Sequence, residues 1–275
     1  MTGLIRKRTP RIRTNRKKTI RPKKRKPLIN HPEPLVSIII PALNEKATLP
    51  AVLREAGRVH PRSETIVVAN GSTDGTPDVA RRLGARVIWS PDPLGHDVGR
   101  RVGAEAAKGR ALLFIDADMV IPAWQLRPFA EAVLEGGVDV ALNGYSGPPN
   151  RREPHPVVVA KHVLNAWLAR PDLRGASLTA IPHALSRKAL QTIGSSVLDV
   201  PPLALAAAVL RGLEVRAVHT VQVGRLNPRR RRKGCRDLLT SLVLGDHLQA
   251  IHGLIREKGA RGGYDDLGRL RDKVR

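Results

Sequence analysis

Apolar residues fall in this chain as short unbroken runs separated by amphipathic stretches. Leu35-Val36-Ser37-Ile38-Ile39-Ile40 is the first run, Thr65-Ile66-Val67-Val68 the second, Val87-Ile88-Trp89 the third and Ala111-Leu112-Leu113-Phe114-Ile115 the fourth. A strand with one wetted face alternates apolar and polar positions, so runs without alternation predict strands covered on both faces, as in a mostly parallel sheet flanked by helices. Helical spacing appears between them. Leu49, Val52, Leu53 and Ala56 recur on one face before Gly57 and Pro61. Pro77 opens a second helix with Val79, Ala80 and Leu83 inside and Gly84 at its end. Gly95 to Ala107 predicts a third helix, rich in small residues, that carries Arg100 and Arg101 and stops at Gly109. This strand–helix alternation predicts a Rossmann-like, doubly wound α/β fold.

The second half is less regular. A helix is expected from about Trp124 to Leu134, then Gly136-Gly137 and a strand from Val138 to Leu142. Residues 144–156, with four prolines and two glycines, predict a mobile loop beside the strand ends. There follow a helix from Val157 to Leu168, an irregular segment from Ser177 to Pro182, a helix from Arg187 to Ile193 capped by Ser186, and an apolar helix from Leu203 to Leu210 after Pro201-Pro202. A strand from Glu214 to His219 closes this part. Leu238, Leu239, Leu242, Leu248, Ile251 and Leu254 predict a helical region packing back on the domain. No apolar run approaches membrane-spanning length, Leu203 to Leu210 being cut short by Arg211.

Charge adds extensions to this picture. The 275 residues carry 48 Lys and Arg against 24 Asp and Glu, a net charge of +24. Thirteen of the basic residues lie between Arg6 and Lys26, in a first thirty residues that contain no acid. With prolines at 10, 22 and 27 and no apolar h-region, this reads as a disordered tail and not as a signal peptide. It could bind anionic lipid or nucleic acid, or only solubilise. The expected division is a basic tail over 1–33, a folded domain over 34–228 and a basic, helical extension over 229–275 beginning with Arg229-Arg230-Arg231-Arg232-Lys233. The single cysteine, Cys235, excludes an intramolecular disulfide and fits a reducing, cytoplasmic setting.

The chemistry concentrates at the end of the fourth run, where Asp116-Ala117-Asp118 follows the apolar residues directly. Ligands of open α/β sheets bind past the carboxyl ends of the strands, so both carboxylates are expected in that crevice. Two hard oxygen donors there suit Mg2+ or Mn2+ and a phosphate-bearing substrate. No G-x-G-x-x-G follows the first strand and no G-x-x-x-x-G-K-[ST] occurs, which argues against a nicotinamide or flavin site and against a P-loop. A polar loop, Ala69-Asn70-Gly71-Ser72-Thr73-Asp74-Gly75-Thr76, faces the same crevice from the second strand.

Four segments in order, Val36 to Glu45, Asn70 to Thr76, Gly95 to Gly103 with Arg100, and Phe114 to Asp118, resemble the ordered motifs of family 2 glycosyltransferases. The resemblance implies a GT-A fold, a nucleotide-sugar donor, a divalent metal (Mn2+ or Mg2+) and inverting transfer. The donor half would be 34–120 and the acceptor half 121–228. Pro41, Ala42, Asn44, Glu45, Asn70, Gly71, Ser72 and Asp74 would form the nucleotide pocket. Arg100 would approach the diphosphate or ribose, Asp116 the ribose or metal, and Asp118 the metal. Relatives usually carry an acid where Ala69 stands, which leaves the nucleobase open, with UDP the first expectation. Asp199 is the candidate base for the acceptor hydroxyl, or else only a residue leading into a helix. His219 is either a further metal ligand or a structural histidine.

No Gln-x-x-Arg-Trp segment occurs, which points to single transfer and away from a processive synthase. The expected acceptor is lipid-linked or a small anion in cell-envelope polysaccharide, glycolipid or related synthesis. Basic segments would hold the protein peripherally at the inner face of the plasma membrane. Aromatic residues, at 3%, are too scarce for single-strand nucleic-acid stacking. The competing expectation is a transferase fold that has lost catalysis and serves as a binding protein.

Overall fold

The computed structural model describes residues 27–148, 152–226, 237–270 and 273. The tail from Arg6 to Lys26, Cys235, the basic run Arg229 to Lys233 and residues 149–151 of the loop 144–156 lie outside the described residues.

The first half follows the pattern read from sequence. Strands Val36–Ala42 (β1), Ser63–Asn70 (β2), Arg86–Ser90 (β3) and Ala111–Phe114 (β4) alternate with helices Leu49–Ala56 (α1), Thr76–Arg82 (α2) and Val98–Ala106 (α3). Then come Ala123–Leu134 (α4), Val140–Asn143 (β5), Pro156–Trp167 (α5), His183–Ser186 (β6), Arg187–Ile193 (α6), Pro201–Leu210 (α7), Val215–His219 (β7), Val223–Leu226 (α8) and Leu238–Lys258 (α9). Among the described residues the seven strands form one sheet in the order β3-β2-β1-β4-β6-β5-β7. β1 runs parallel to β2 and β4, β2 to β3, and β5 to β7, whereas β6 is antiparallel to both neighbours. The fold is α/β, with helices on both faces of a mostly parallel sheet.

Both faces of the sheet are buried, which is why its central strands read as unbroken apolar runs. Val36, Ile38 and Ile40 pack with Leu49, Val52, Leu53, Leu126 and Phe129 on the side of α1 and α4. Ile39, Ile66, Val68, Leu112 and Phe114 pack with Ala104, Leu164, Leu205 and Leu254 on the side of α3, α5, α7 and α9. The glycines at 99 and 103 set α3 flush on this second face. A Cβ at Gly99 would lie 3.1 Å from Pro41 Cβ and one at Gly103 would lie 2.4 Å from Ile39 Cγ2.

Three expectations need correcting. The segment ending at Pro182 continues into β6, a strand the sequence hid because His183-Ala184-Leu185-Ser186 is only four residues long and opens on a polar side chain. Helix α3 begins at Val98, so Gly95, His96 and Asp97 form a loop. The C-terminal region contains a helix of 21 residues that is long and apolar enough, by length and composition, to cross a membrane, contrary to the expectation that none approaches that length. It lies against α5 and α7. Ala250 and Leu254 are buried and Ile251 packs at the same core, while Leu238, Leu239, Leu242 and Leu248 stay exposed.

The newly seen strand carries a pH signature. The His183 ring stacks on Phe114 with centroids 5.0 Å apart, and Nδ1 donates to the Ala180 carbonyl at 3.1 Å. Complete burial, with the Arg100 charge adding to it, pushes its pKa down to about 3. An unfolded histidine titrates near 6.5, so between that value and about 3 the unfolded chain binds a proton that the folded chain refuses. Stability is therefore full above pH 6.5 and falls as pH drops, by roughly 1.4 kcal/mol per pH unit for such a group. Urea midpoints from pH 7.5 to 4.5 should decline, and His183→Phe should flatten that decline. An unchanged slope in the variant would show that His183 does not set the acid limb.

Candidate functional site

The ends of β1, β2 and β4 converge on a cleft of about 370 Å³, lined by Pro41, Ala42, Leu43, Glu45, Asn70, Pro93, Gly95, His96, Arg100, Asp116, Ala117 and Asp118. Its volume is in the range of small-ligand sites. Past β4 the chain leaves the strand and turns at Ala117-Asp118, burying Ile115, Ala117 and Met119 while Asp116 and Asp118 stay half-buried on the cleft wall.

The floor is fixed by a buried ion network. Arg100, the residue after the flush-packed Gly99 in the first turn of α3, pairs with Asp97 just before the helix and donates from Nη2 to Asp116 Oδ1 at 3.0 Å. The Arg100 and Asp97 side chains are only 9% and 7% exposed, so each charge depends on the other. Arg100 Nε is buried without a hydrogen bond. Asp116 is thereby turned toward the guanidinium, and Asp118 is the second carboxylate on the same wall.

The walls are two polar loops tied to each other. Asn44, in the left-handed region at φ 56°, accepts on Oδ1 from the Thr73 amide at 2.8 Å, and its own amide donates to Ser72 Oγ at 3.1 Å. The Lys46 amide donates to Asp74 Oδ2 at 3.1 Å and the Glu45 amide to Thr76 Oγ1 at 3.0 Å. Although the slight burial of Asp74 works the other way, hydrogen bonds from Thr76 and the Lys46 amide hold its carboxyl below the ordinary range. Asn70 reaches across to the loop before α3, donating to the Gly95 carbonyl at 3.0 Å and accepting from the Leu94 amide. Gly71 permits that approach, having φ +66° and leaving only 2.9 Å between a would-be Cβ and Pro93 N.

Of the residues expected at the site, Pro41, Ala42, Glu45, Asn70, Arg100, Asp116 and Asp118 line the cleft. Asn44, Gly71, Ser72 and Asp74 do not; they brace the two loops that form it. Ala69 is fully buried within β2, in register with Ala42 and Trp89. Asp199 is not among the lining residues, and its carboxylate is gripped by Arg101 Nε at 3.0 Å. His219, at the end of β7, sets its ring edge-on to Phe129 with centroids 6.1 Å apart, also outside the lining. Among the described residues no three His, Cys, Asp or Glu side chains form a metal-holding group. Two carboxylates with room for a diphosphate nevertheless fit Mg2+ or Mn2+, which bind through one or two carboxylates and the substrate's phosphates.

Pro93 and His96 are lining residues that the sequence reading missed, and His96 is the ionisable one. Burial, then the positive charge of Arg100, lower its pKa, with Asp116 and Asp246 acting against them. Asp246 comes from α9, and burial pushes its carboxyl up, opposed by His96. A glycine-rich stretch read as helix gave no signal for His96, and an acid inside the apolar part of a helix 150 residues on gave none for Asp246.

Residues 37–172 match the model of the family described as glycosyl transferase family 2. An uncharacterized glycosyltransferase of Mycobacterium tuberculosis is 38% identical over 105 residues, which are 38% of this chain and 46% of that protein. The undecaprenyl-phosphate 4-deoxy-4-formamido-L-arabinose transferase of Aeromonas hydrophila is 30% identical over 113 residues, 37% of this chain and 34% of the relative. The chain thus spans less than half the length of these curated relatives. Among solved structures, glucosyl-3-phosphoglycerate synthase of Mycobacterium tuberculosis, in complex with Mn2+, UDP and phosphoglyceric acid, superposes with a TM-score of 0.58 at 25% identity over 86% of this chain and 81% of that one.

Proposed function

Because residues 37–172 make this chain a member of glycosyltransferase family 2, we propose that it transfers a single sugar, with inversion, from a nucleotide-sugar donor to an acceptor hydroxyl. The observation that carries this reading is one cleft at the strand ends lined by Asp116, Asp118, Arg100, Asn70 and Glu45. UDP is the first candidate nucleotide, a choice supported by its presence in the structural relative. The Asn70 and Asn44 loops, braced against each other, offer the nucleoside a preformed seat. Asp118 and Asp116 would hold Mn2+ or Mg2+, which when bound neutralises charge building on the leaving diphosphate. Arg100 keeps Asp116 oriented and adds a buried positive charge to the same wall.

In this reading residues 34–120 bind the donor and 121–228 the acceptor, with the basic segments outside them. The acceptor is lipid-linked or a small anion. The undecaprenyl-phosphate transferase favours the first and the phosphoglyceric acid complex the second. The setting is cell-envelope polysaccharide, glycolipid or related glycoconjugate synthesis in the cytoplasm, at the inner face of the plasma membrane.

The proton acceptor in this scheme is Asp199, which would act once acceptor binding loosens its pair with Arg101. The test measures nucleoside diphosphate release by the full chain from a panel of nucleotide sugars, with polyprenyl phosphate or phosphoglycerate as acceptor. Release should need one donor, one acceptor and Mn2+ or Mg2+. Asp199→Asn should lower kcat by about 10²–10⁴-fold with donor affinity kept. Unchanged kcat would remove Asp199 from the base role, and no release from any pairing would favour a fold that binds without catalysing.

A further inference from the structure

Two neighbouring helices leave several apolar side chains exposed, while the charged residues of α5 and of α9 up to Ile255 are buried. α5 and α9 run side by side in the same direction. His155, at the start of α5, meets Thr240 in the first turn of α9, Nε2 to Oγ1, at 3.4 Å. Near the other end Tyr264, just past α9, donates to the Ala166 carbonyl of α5. From Leu238 to Ile255, α9 contains one acid, Asp246, and no Lys or Arg; α5 contains one lysine, Lys161, and no acid or Arg. Asp246 and Lys161 are only 9% and 8% exposed. Facing outward instead are Leu238, Leu242 and Leu248 of α9, at 69%, 46% and 68%, and Val159 and Val163 of α5, at 47% and 39%.

The inner sides also bury Val158, Leu164, Ala250 and Leu254, so what sets the pair apart from helices meant to face water is an outer face with leucines and valines and no charge up to Ile255, in a chain where 26% of residues are charged. We infer that the joined outer faces of α5 and α9 dock on an anionic lipid bilayer, α9 lying in the interface plane with its leucines in the headgroup and acyl boundary. Crossing the bilayer does not fit α9, because its inner side carries Asp246 and His247, buried against the domain. Charge chooses between the two simplest partners. The whole chain carries +24, much of it in the basic segments 6–26 and 229–233, and an anionic bilayer offers that charge the opposite sign, which a second copy of the same chain does not.

The experiment is flotation of the full chain with phosphatidylcholine vesicles and with mixed phosphatidylcholine–phosphatidylglycerol vesicles, without nucleotide, at low and at high salt. Leu242→Glu/Leu248→Glu and Val163→Glu replace exposed side chains, so their melting temperatures should match wild type. Wild type should float with the anionic vesicles and keep part of that binding at high salt, where attraction through basic residues alone is screened. The leucine pair variant should bind at least about tenfold more weakly, because it removes two apolar side chains from the buried anchor. Equal flotation of variant and wild type would overturn the proposal by assigning attachment to the basic segments alone. So would a wild-type dimer in solution that the same variants dissociate, which would make a second copy the occupant. Metal-dependent nucleotide binding, measured separately on each variant, reports on the donor site whether or not the bilayer contact exists.

Discussion

Asp118→Ala should lower sugar transfer by about 10³-fold or more, equivalent to roughly 4 kcal/mol of lost transition-state stabilisation. The side chain stands on the cleft wall beside Asp116 and projects there because Ala117 and Met119, its neighbours in sequence, take the core side. Asp116 is already committed in part to Arg100, at 3.0 Å, so it is the weaker substitute as a donor to a divalent ion. Removing Asp118 leaves one such carboxylate against a leaving group whose charge rises through the reaction. The fold should be indifferent, because the residue is half-buried at a strand end and not in the core. The check is kcat/KM at saturating Mn2+ together with the urea midpoint. A variant that unfolds at the wild-type midpoint but turns over within tenfold of wild type would remove Asp118 from the chemistry.

Arg100→Ala should have the largest effect on stability, about 3–5 kcal/mol, the usual result of stripping the partner from a buried charge. Asp97 would be left 7% exposed without its counter-ion, and the Asp116 carboxylate would lose the donor that orients it. Arg100→Lys should recover part of the stability but less of the activity, because an ammonium cannot hold two carboxylates in the fixed fork of a guanidinium. Urea unfolding with nucleotide affinity on the same samples separates the two effects. A loss below about 1 kcal/mol for the alanine variant would mean that water or a shifted side chain satisfies Asp97, and that the network is not what holds the loop before α3.

The first half of the fold was legible because its signals are physically strong. Strands covered on both faces leave unbroken runs such as Ile38-Ile39-Ile40, and a D-x-D placed directly after such a run has only one place to point. The small-residue character of α3 was also legible, and its reason is the approach of Gly99 and Gly103 to Pro41 and Ile39. The rest depended on distance in the chain. β6 is too short and too polar at its start to announce itself, although the Ser186 cap after it was plain and is present, accepting from the Ala189 amide at 2.9 Å. Asn44, Ser72 and Asp74 looked like ligand contacts because loop chemistry and ligand chemistry use the same side chains; in the fold they bind each other's loops. Asp199 and His219 were chosen by position relative to a helix or strand, and nothing local could reveal Arg101 or Phe129 as their neighbours. The orientation of α9 was hidden for the same reason. A helix with an uneven apolar pattern does not say which side the domain covers.

The most direct test of the central claim is a thermal-shift panel on the full chain with UDP, GDP, ADP and dTDP, each with Mn2+, with Mg2+ and with chelator. One nucleotide should raise the melting temperature in the presence of metal, by the equivalent of about 2.7 kcal/mol at a hundred times its dissociation constant. That rise should disappear with chelator and in Asp118→Ala. No shift with any nucleotide from a folded sample, or an equal shift with chelator and in the variant, would contradict a metal-assisted donor site at Asp116 and Asp118.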